Sequence, residues 1–341
     1  MSKPSVNTAG RESRLQGFSY QAKSYAPKIA YALFRYAFII GMAYVLLYPI
    51  LIMATRAIRP AEDMTNPSII WIPSGITYEN LQIAWKLVQY PATVLFTSRV
   101  VVISTILSLI SCSMAGYALA RYKMKLAPIL MGLAILTIIV PIQTYIIPLF
   151  TQTRFFSPFS ISTFIASFGD WTGLYEVALG DISINLTNTE WCYYVSAAMG
   201  MGLRSGLFIV VFMQFFKGMP KELEDAARVD GCSELRTFVQ VMVPNAGAPF
   251  LVVTLFSIVW YWNDYYYAQM MMSGQSMFAT KISILKRMVA KSSEVATTDS
   301  GLGETVVVFA GCLLFIIPPL LLYLYLQKYF VQSIERTGIV G

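Results

Sequence analysis

The chain has 341 residues, of which 56% are hydrophobic and 13% charged, with a net charge of +7 and a mean hydropathy of +0.59. A soluble domain carries about 25% charged residues, so this chain lacks the surface that would keep it dissolved. It contains no histidine, which excludes Ser-His-Asp and Cys-His catalysis and His-based metal sites.

Each membrane crossing needs roughly 20 apolar residues to bridge about 30 Å of hydrocarbon, and in lipid such a segment is a helix. Residues 1–29 are polar and basic and are expected to form a cytoplasmic tail, disordered or lying on anionic lipid. Six apolar stretches follow, at about 30–53, 93–119, 127–150, 197–216, 246–270 and 305–326. The first is too long for a cleavable signal peptide and lacks a small-residue cleavage site. Six spans place both termini on one side. With the termini in the cytoplasm, the inner segments hold fourteen Lys and Arg and the outer ones eight, as the positive-inside rule requires. The last outer loop dissents, with Lys281, Lys286, Arg287 and Lys291. The net charge is therefore a topology signal and calls for no nucleic-acid partner.

Arg35, Arg99 and Arg204 lie near predicted span ends, where long basic side chains snorkel to the interface. Pro141 and Pro148 in the third span, and Pro318 and Pro319 in the sixth, are expected to break helices, as hinges of moving segments or as static kinks. Residues 151–196 form an extended extracytoplasmic loop. Its stretch 177–194 alternates like a strand, with a turn at 185–188, and Trp171, Tyr175, Trp191, Tyr193 and Tyr194 offer stacking surfaces. Asp170, Glu176, Asp181 and Glu190 make it acidic. It is an outer subdomain that touches a ligand or partner, or a cap with neither role. The four cysteines, Cys112, Cys192, Cys232 and Cys312, are widely separated, so no disulfide framework is expected.

Residues 220–244, PKELEDAARVDGCSELRTFVQVMVP, fall in the inner loop between spans four and five and are too polar to cross a bilayer. Pro220 suits a first helical position, with Glu222, Glu224 and Asp225 in the first turn, where the helix dipole favours acids. Gly231 ends or bends that helix. Leu235, Phe238, Val239 and Met242 then recur at helical spacing and predict a second, amphipathic helix ending before Pro244. A solvated pair of helices lying on lipid headgroups has the same pattern. Deeper in the fifth span, Trp260, Trp262, Asn263, Asp264 and Tyr265 could line a solute path, since sugar rings stack on aromatic faces and bond to amides and carboxylates. An aromatic belt at the outer interface accounts for the same residues.

The loop resembles the signature of the membrane subunits of binding-protein-dependent ABC importers, Glu-Ala-Ala, three residues, Gly, nine residues, Ile-x-Leu-Pro. The match is Asp225-Ala226-Ala227, then Gly231, then Val241-x-Val243-Pro244, with every spacing kept and three conservative departures. AGYALARYKM, VPIQTYIIPLF, WYWNDYY and LQKYFVQSIERTGIVG are similar to further landmarks of the carbohydrate-uptake branch, that of the smaller permease subunit of the maltose transporter. The tail departs from that pattern, ending Thr337-Gly338-Ile339-Val340-Gly341 without the family's lysine.

The resemblance implies an all-α polytopic fold of six transmembrane helices, residues 30–341, with 217–245 as a cytoplasmic coupling loop. Two ATP-binding cassette subunits, a second permease subunit in a heterodimer, and an extracytoplasmic solute-binding protein are the implied partners, besides membrane lipid. The chain has no Gly-x-x-x-x-Gly-Lys-Ser/Thr phosphate loop, so no cofactor is expected in it and ATP would be bound by the partner. The coupling residues would be Glu222, Glu224, Asp225, Ala226, Ala227, Asp230, Gly231, Val241, Val243 and Pro244. The loop alone fits an importer of amino acids, peptides or polyamines as well, and a membrane scaffold is a further alternative.

Overall fold

The computed structural model describes residues 9–60, 62–63, 66, 73–156, 184–273, 277–292 and 302–338. The elements are helices: α1 (Ala9–Ala57), α2 (Glu79–Val88), α3 (Tyr90–Arg121), α4 (Ala127–Ile139), α5 (Ile142–Arg154), α6 (Trp191–Ala198), α7 (Ser205–Gly218), α8 (Glu222–Val229), α9 (Glu234–Asn245), α10 (Gly247–Trp262), α11 (Tyr266–Met271), α12 (Phe278–Lys291) and α13 (Leu302–Gly338).

Among the described residues, three helices are long and apolar enough to cross a membrane: Tyr31–Ala57 within α1, α3 itself, and Gly303–Lys328 within α13. They correspond to predicted spans one, two and six. Two bent pairs, α4 with α5 at 111° and α9 with α10 at 80°, raise the number to at most five. The breakers can be named. Val140, held extended by the following Pro141, ends α4. Gly200 and Arg204, both at positive φ, interrupt the predicted fourth span. That leaves α7 with 14 residues, about 21 Å at 1.5 Å per residue. Pro148, Pro318 and Pro319 do not break their helices, contrary to expectation; each lies within continuous α-helix. Of the basic tail, residues 9–29 are helical: α1 begins at Ala9, because extending a helix already nucleated by an apolar span avoids a new nucleation cost.

At the centre stands α3, packed against α7, α10 and α6. Its buried face is small and hydroxylated, including Thr97, Ser104, Thr105, Ser108, Cys112 and Gly116. Thr105 and Ser257 hydroxyls lie 3.1 Å apart, as do those of Ser108 and Tyr261, and Ser111 donates to the Ala197 carbonyl at 2.6 Å. Lipid removes the hydrophobic drive between helices, so close approach and interhelical hydrogen bonds hold such a bundle. Gly116 makes that approach possible. A Cβ there would lie 2.7 Å from Phe212 Cβ and 2.9 Å from the Met213 nitrogen.

Outside the bundle, α12 packs on α13 and α2. Its Lys281 ammonium donates to the Val88 carbonyl at the end of α2 and to Thr93, at 3.0 and 2.8 Å, so one of the four dissenting bases is a helix C-terminal cap. Burial holds its pKa below the ordinary value. The turn after α1 is tied by Asp63, which accepts the Ser74 amide at 2.8 Å and hydroxyl at 2.5 Å. Those two bonds keep its carboxyl below the ordinary 3.8.

Of loop 151–196, residues 157–183 lie outside the described residues, with Trp171, Tyr175, Asp170, Glu176 and Asp181. The turn at 185–188 forms: Asn185 Oδ1 accepts the Thr187 amide at 2.9 Å, and Asn188 is left-handed. Of the predicted strand, residues 177–183 lie outside the described residues, and the described part makes one bridge, Ile184 to Phe156. Beyond it, Trp191–Ala198 is helix, because a short apolar aromatic run suits either form and packing on α3 decides. Tyr193 and Tyr194 are buried by that packing and offer no stacking surface; Trp191 is exposed.

Candidate functional site

Loop 217–245 folds as two short helices joined at a glycine. α8 starts at Glu222, leaving Pro220 just outside, and carries Glu222, Glu224 and Asp225 in its first turn. Gly231, at φ +77, closes it while Cys232 N–H bonds the Ala227 carbonyl at 2.9 Å, a conformation that glycine adopts without steric cost. α9 then widens into a π-helical turn over Phe238–Met242. This rotates the expected stripe: Phe238 and Met242 are buried, whereas Leu235 and Val239 are 64% and 53% exposed. Tyr117 of α3 receives Phe238, ring centroids 5.0 Å apart.

The carboxylates divide between two roles. Glu224 faces inward, its Oε1 3.0 Å from Nε of Arg121, both side chains under a tenth exposed. The approach is a charge pair without the alignment of a hydrogen bond. Asp225 points away, its side chain 70% exposed. Glu222, Ala226, Asp230 and Gly231 are exposed with it, around a Val229 that is 88% exposed. Ala227 is buried against the bundle, Val241 and Val243 are half-buried, and Pro244 is exposed at the bend into α10. Of the residues the resemblance assigns to coupling, Glu224 and Ala227 are buried against the bundle.

The aromatic segment of α10 is also divided. Asp264 is buried and caps α11, accepting the Tyr267 and Ala268 amides at 3.2 and 3.0 Å and the Tyr193 hydroxyl at 2.5 Å. Trp262 is buried and donates to the Phe315 carbonyl at 3.2 Å. Trp260 stacks on Phe256 and lies under the Arg204 guanidinium, which is 5.6 Å from its ring. Asn263 donates to the Val259 carbonyl of its own helix, and Tyr265 is exposed. These five residues do not converge on one surface. A cleft does open at the α4–α5 break, lined by Tyr145, Tyr193, Ser196, Gly202, Tyr261 and Tyr267 among others. The sequence signal for it was the pair of breakers that flank it, Pro141 and Gly200, rather than the aromatic run.

Residues 108–336 match the model of the family described as binding-protein-dependent transport system inner membrane component. The chain belongs to this family. It is thus a transporter permease rather than an enzyme, a family that works with an ATPase and a substrate-binding protein, and the matched stretch contains all of α4 to α12, the loop included. The arabinooligosaccharides transport system permease protein AraQ of Halalkalibacterium halodurans is 24% identical over 304 residues, 88% of this chain and 93% of its own. The melibiose/raffinose/stachyose import permease protein MelC of Bacillus subtilis is 25% identical over 296 residues, 86% and 91% of the two chains. The trehalose transport system permease protein SugB of Mycobacterium tuberculosis is 22% identical, covering 86% and 93%. A chain in the crystal structure of a bacterial ABC transporter involved in the import of the acidic polysaccharide alginate shares the fold, with a TM-score of 0.60 over 96% of this chain and 100% of that one, at 19% identity.

Proposed function

We propose that this chain is one of two permease subunits of an ATP-driven importer that carries a carbohydrate, specifically an oligosaccharide, across the bacterial cytoplasmic membrane. The observation that carries the reading is the loop at 217–245: a short acidic helix, a left-handed Gly231 and a second helix, with Asp225 and Val229 exposed on an outward face. On this reading two ATPase subunits engage that face, and an extracytoplasmic binding protein presents the solute at the opposite end. The permease core is a heterodimer. On this reading the chain crosses six times, with α4–α5 and α6–α7 as interrupted crossings and α10 as the fifth, so that both termini lie in the cytoplasm. Half-helices ending within the membrane leave backbone groups and hydroxyls free to line a cavity, as translocation requires. The named solutes of the relatives, arabinooligosaccharides, melibiose, raffinose, stachyose and trehalose, favour sugar over amino acids, peptides or polyamines.

Proteoliposomes holding the full transporter and its binding protein test the substrate class. ATP-dependent uptake of a labelled oligosaccharide from an arabinan, galactoside or glucan panel is expected. Uptake of amino acids or polyamines, with none of the sugars, would overturn the carbohydrate reading.

A further inference from the structure

We infer that Arg121 and Glu224 are positioning residues that join the coupling loop rigidly to α3, so that displacement of the loop is carried into the central helix. The inference rests on the importer reading above and deepens it. Arg121 is the last residue of α3, and its side chain binds two other elements at once. Its Nε meets Glu224 in the first turn of α8 at 3.0 Å, and its Nη2 donates to the Met219 carbonyl, just past α7, at 2.7 Å. The cation therefore lies at the carbonyl ends of two helices and the carboxylate at the amide end of a third, so all three dipoles favour the arrangement. Tyr122, the next residue, donates to Glu234 of α9 at 3.2 Å, and Arg228 of α8 reaches the same carboxylate at 3.2 Å. Those outer contacts are solvent-exposed and weak. The Arg121–Glu224 contact is the buried one, where a pair is screened least.

Toward its other end, at its tenth residue, α3 makes a second and more exposed pair. Arg99 pairs with Glu190, whose second oxygen accepts the Tyr194 hydroxyl at 2.7 Å, and α6 follows directly. Between these ends α3 is an unbroken 32-residue helix packed on α7, α10 and α6. A stiff, unbroken element paired to the loop at its last residue and to the segment before α6 nearer its start is the route by which movement at the loop reaches α6.

The test uses the complete transporter with its ATPase and binding protein, carrying Trp191→Cys on the exposed face of α6 and Cys232→Ser to remove the accessible loop thiol. A membrane-impermeant maleimide reads the labelling rate with and without ATP plus vanadate. In this background nucleotide is expected to change the rate by about fivefold, within the usual range of allosteric coupling. Glu224→Gln, which leaves Asp225 and Val229 in place, should keep the ATPase bound and lose the change, as should Arg121→Gln, whereas Arg121→Lys, which keeps a cation at the two carbonyl ends, should retain it. A full nucleotide response in Glu224→Gln or in Arg121→Gln overturns the inference, and the second decides the matter should Glu224→Gln fail to accumulate. So does an Arg121→Lys variant that folds, holds the ATPase and shows no response. If the parent retains no ATPase, the importer reading itself has failed, and the two failures are distinct.

Discussion

Asp264 lies in an apolar run where a carboxylate invites a reading as a solute ligand, yet its oxygens are fully engaged by the α11 amides and Tyr193. A buried acceptor that loses its role leaves donors unsatisfied, so Asp264→Ala should destabilise the protein by about 1–3 kcal/mol. Asp264→Asn, which keeps one acceptor, should cost less. Thermal unfolding in detergent checks the order; an unchanged midpoint in Asp264→Ala alongside lost uptake would instead place this carboxylate on the solute path. Glu224 and Asp225 teach the same lesson, since adjacent acids in one helical turn face opposite ways. Spacing fixed the motif Asp225-Ala226-Ala227-x-x-x-Gly231 but not which carboxylate meets the protein interior. That depends on where Arg121, about a hundred positions earlier in the chain, comes to rest.

At the scale of elements, long apolar segments were legible because length against bilayer thickness is a strong constraint; α1, α3 and α13 follow from it. The broken crossings were legible only in part. Pro141 marked the break in the third span, but hydropathy runs smoothly through Val140 and Gly200, and only backbone geometry shows that α4 and α5 part at 111°. The π-turn at Phe238–Met242 was equally hidden, because its cause is tertiary: Phe238 and Met242 join the aromatic cluster of Tyr117, Phe212 and Phe216. Contact between α3 and α7 depends on Gly116, where any side chain must displace the Phe212 Cβ and the Met213 backbone. Gly116→Val should therefore overpack the crossing and cost about 1–3 kcal/mol. The checking measurement is the thermal midpoint of the purified variant. Gly41, with nothing within 4 Å of its ideal Cβ, serves as the control position, and an equal loss in Gly41→Val would argue against close packing as the cause.

For the whole molecule, the features that matter lie at two levels of one bundle. A tyrosine-lined cleft opens where the crossings are broken, and an acidic, valine-tipped loop projects from the end at which α3 terminates. The unbroken α3 runs beside both, packed on the elements that form the cleft and paired to the loop through Arg121. Family membership was legible in the loop, where Asp225-Ala226-Ala227, Gly231 and Val241-x-Val243-Pro244 keep the spacing of the family signature. The outward surface of that loop carries the central claim. Wild-type protein and the double variant Asp225→Lys with Gly231→Leu, each tagged and extracted in detergent, should be compared for retained ATPase and for ATP hydrolysis stimulated by the binding protein. Coupling through this loop requires that the wild type bring down an ATPase and that the variant, still folded in the membrane, lose both partner and stimulation. Full activity in the variant, or a wild type without an ATPase, would contradict it.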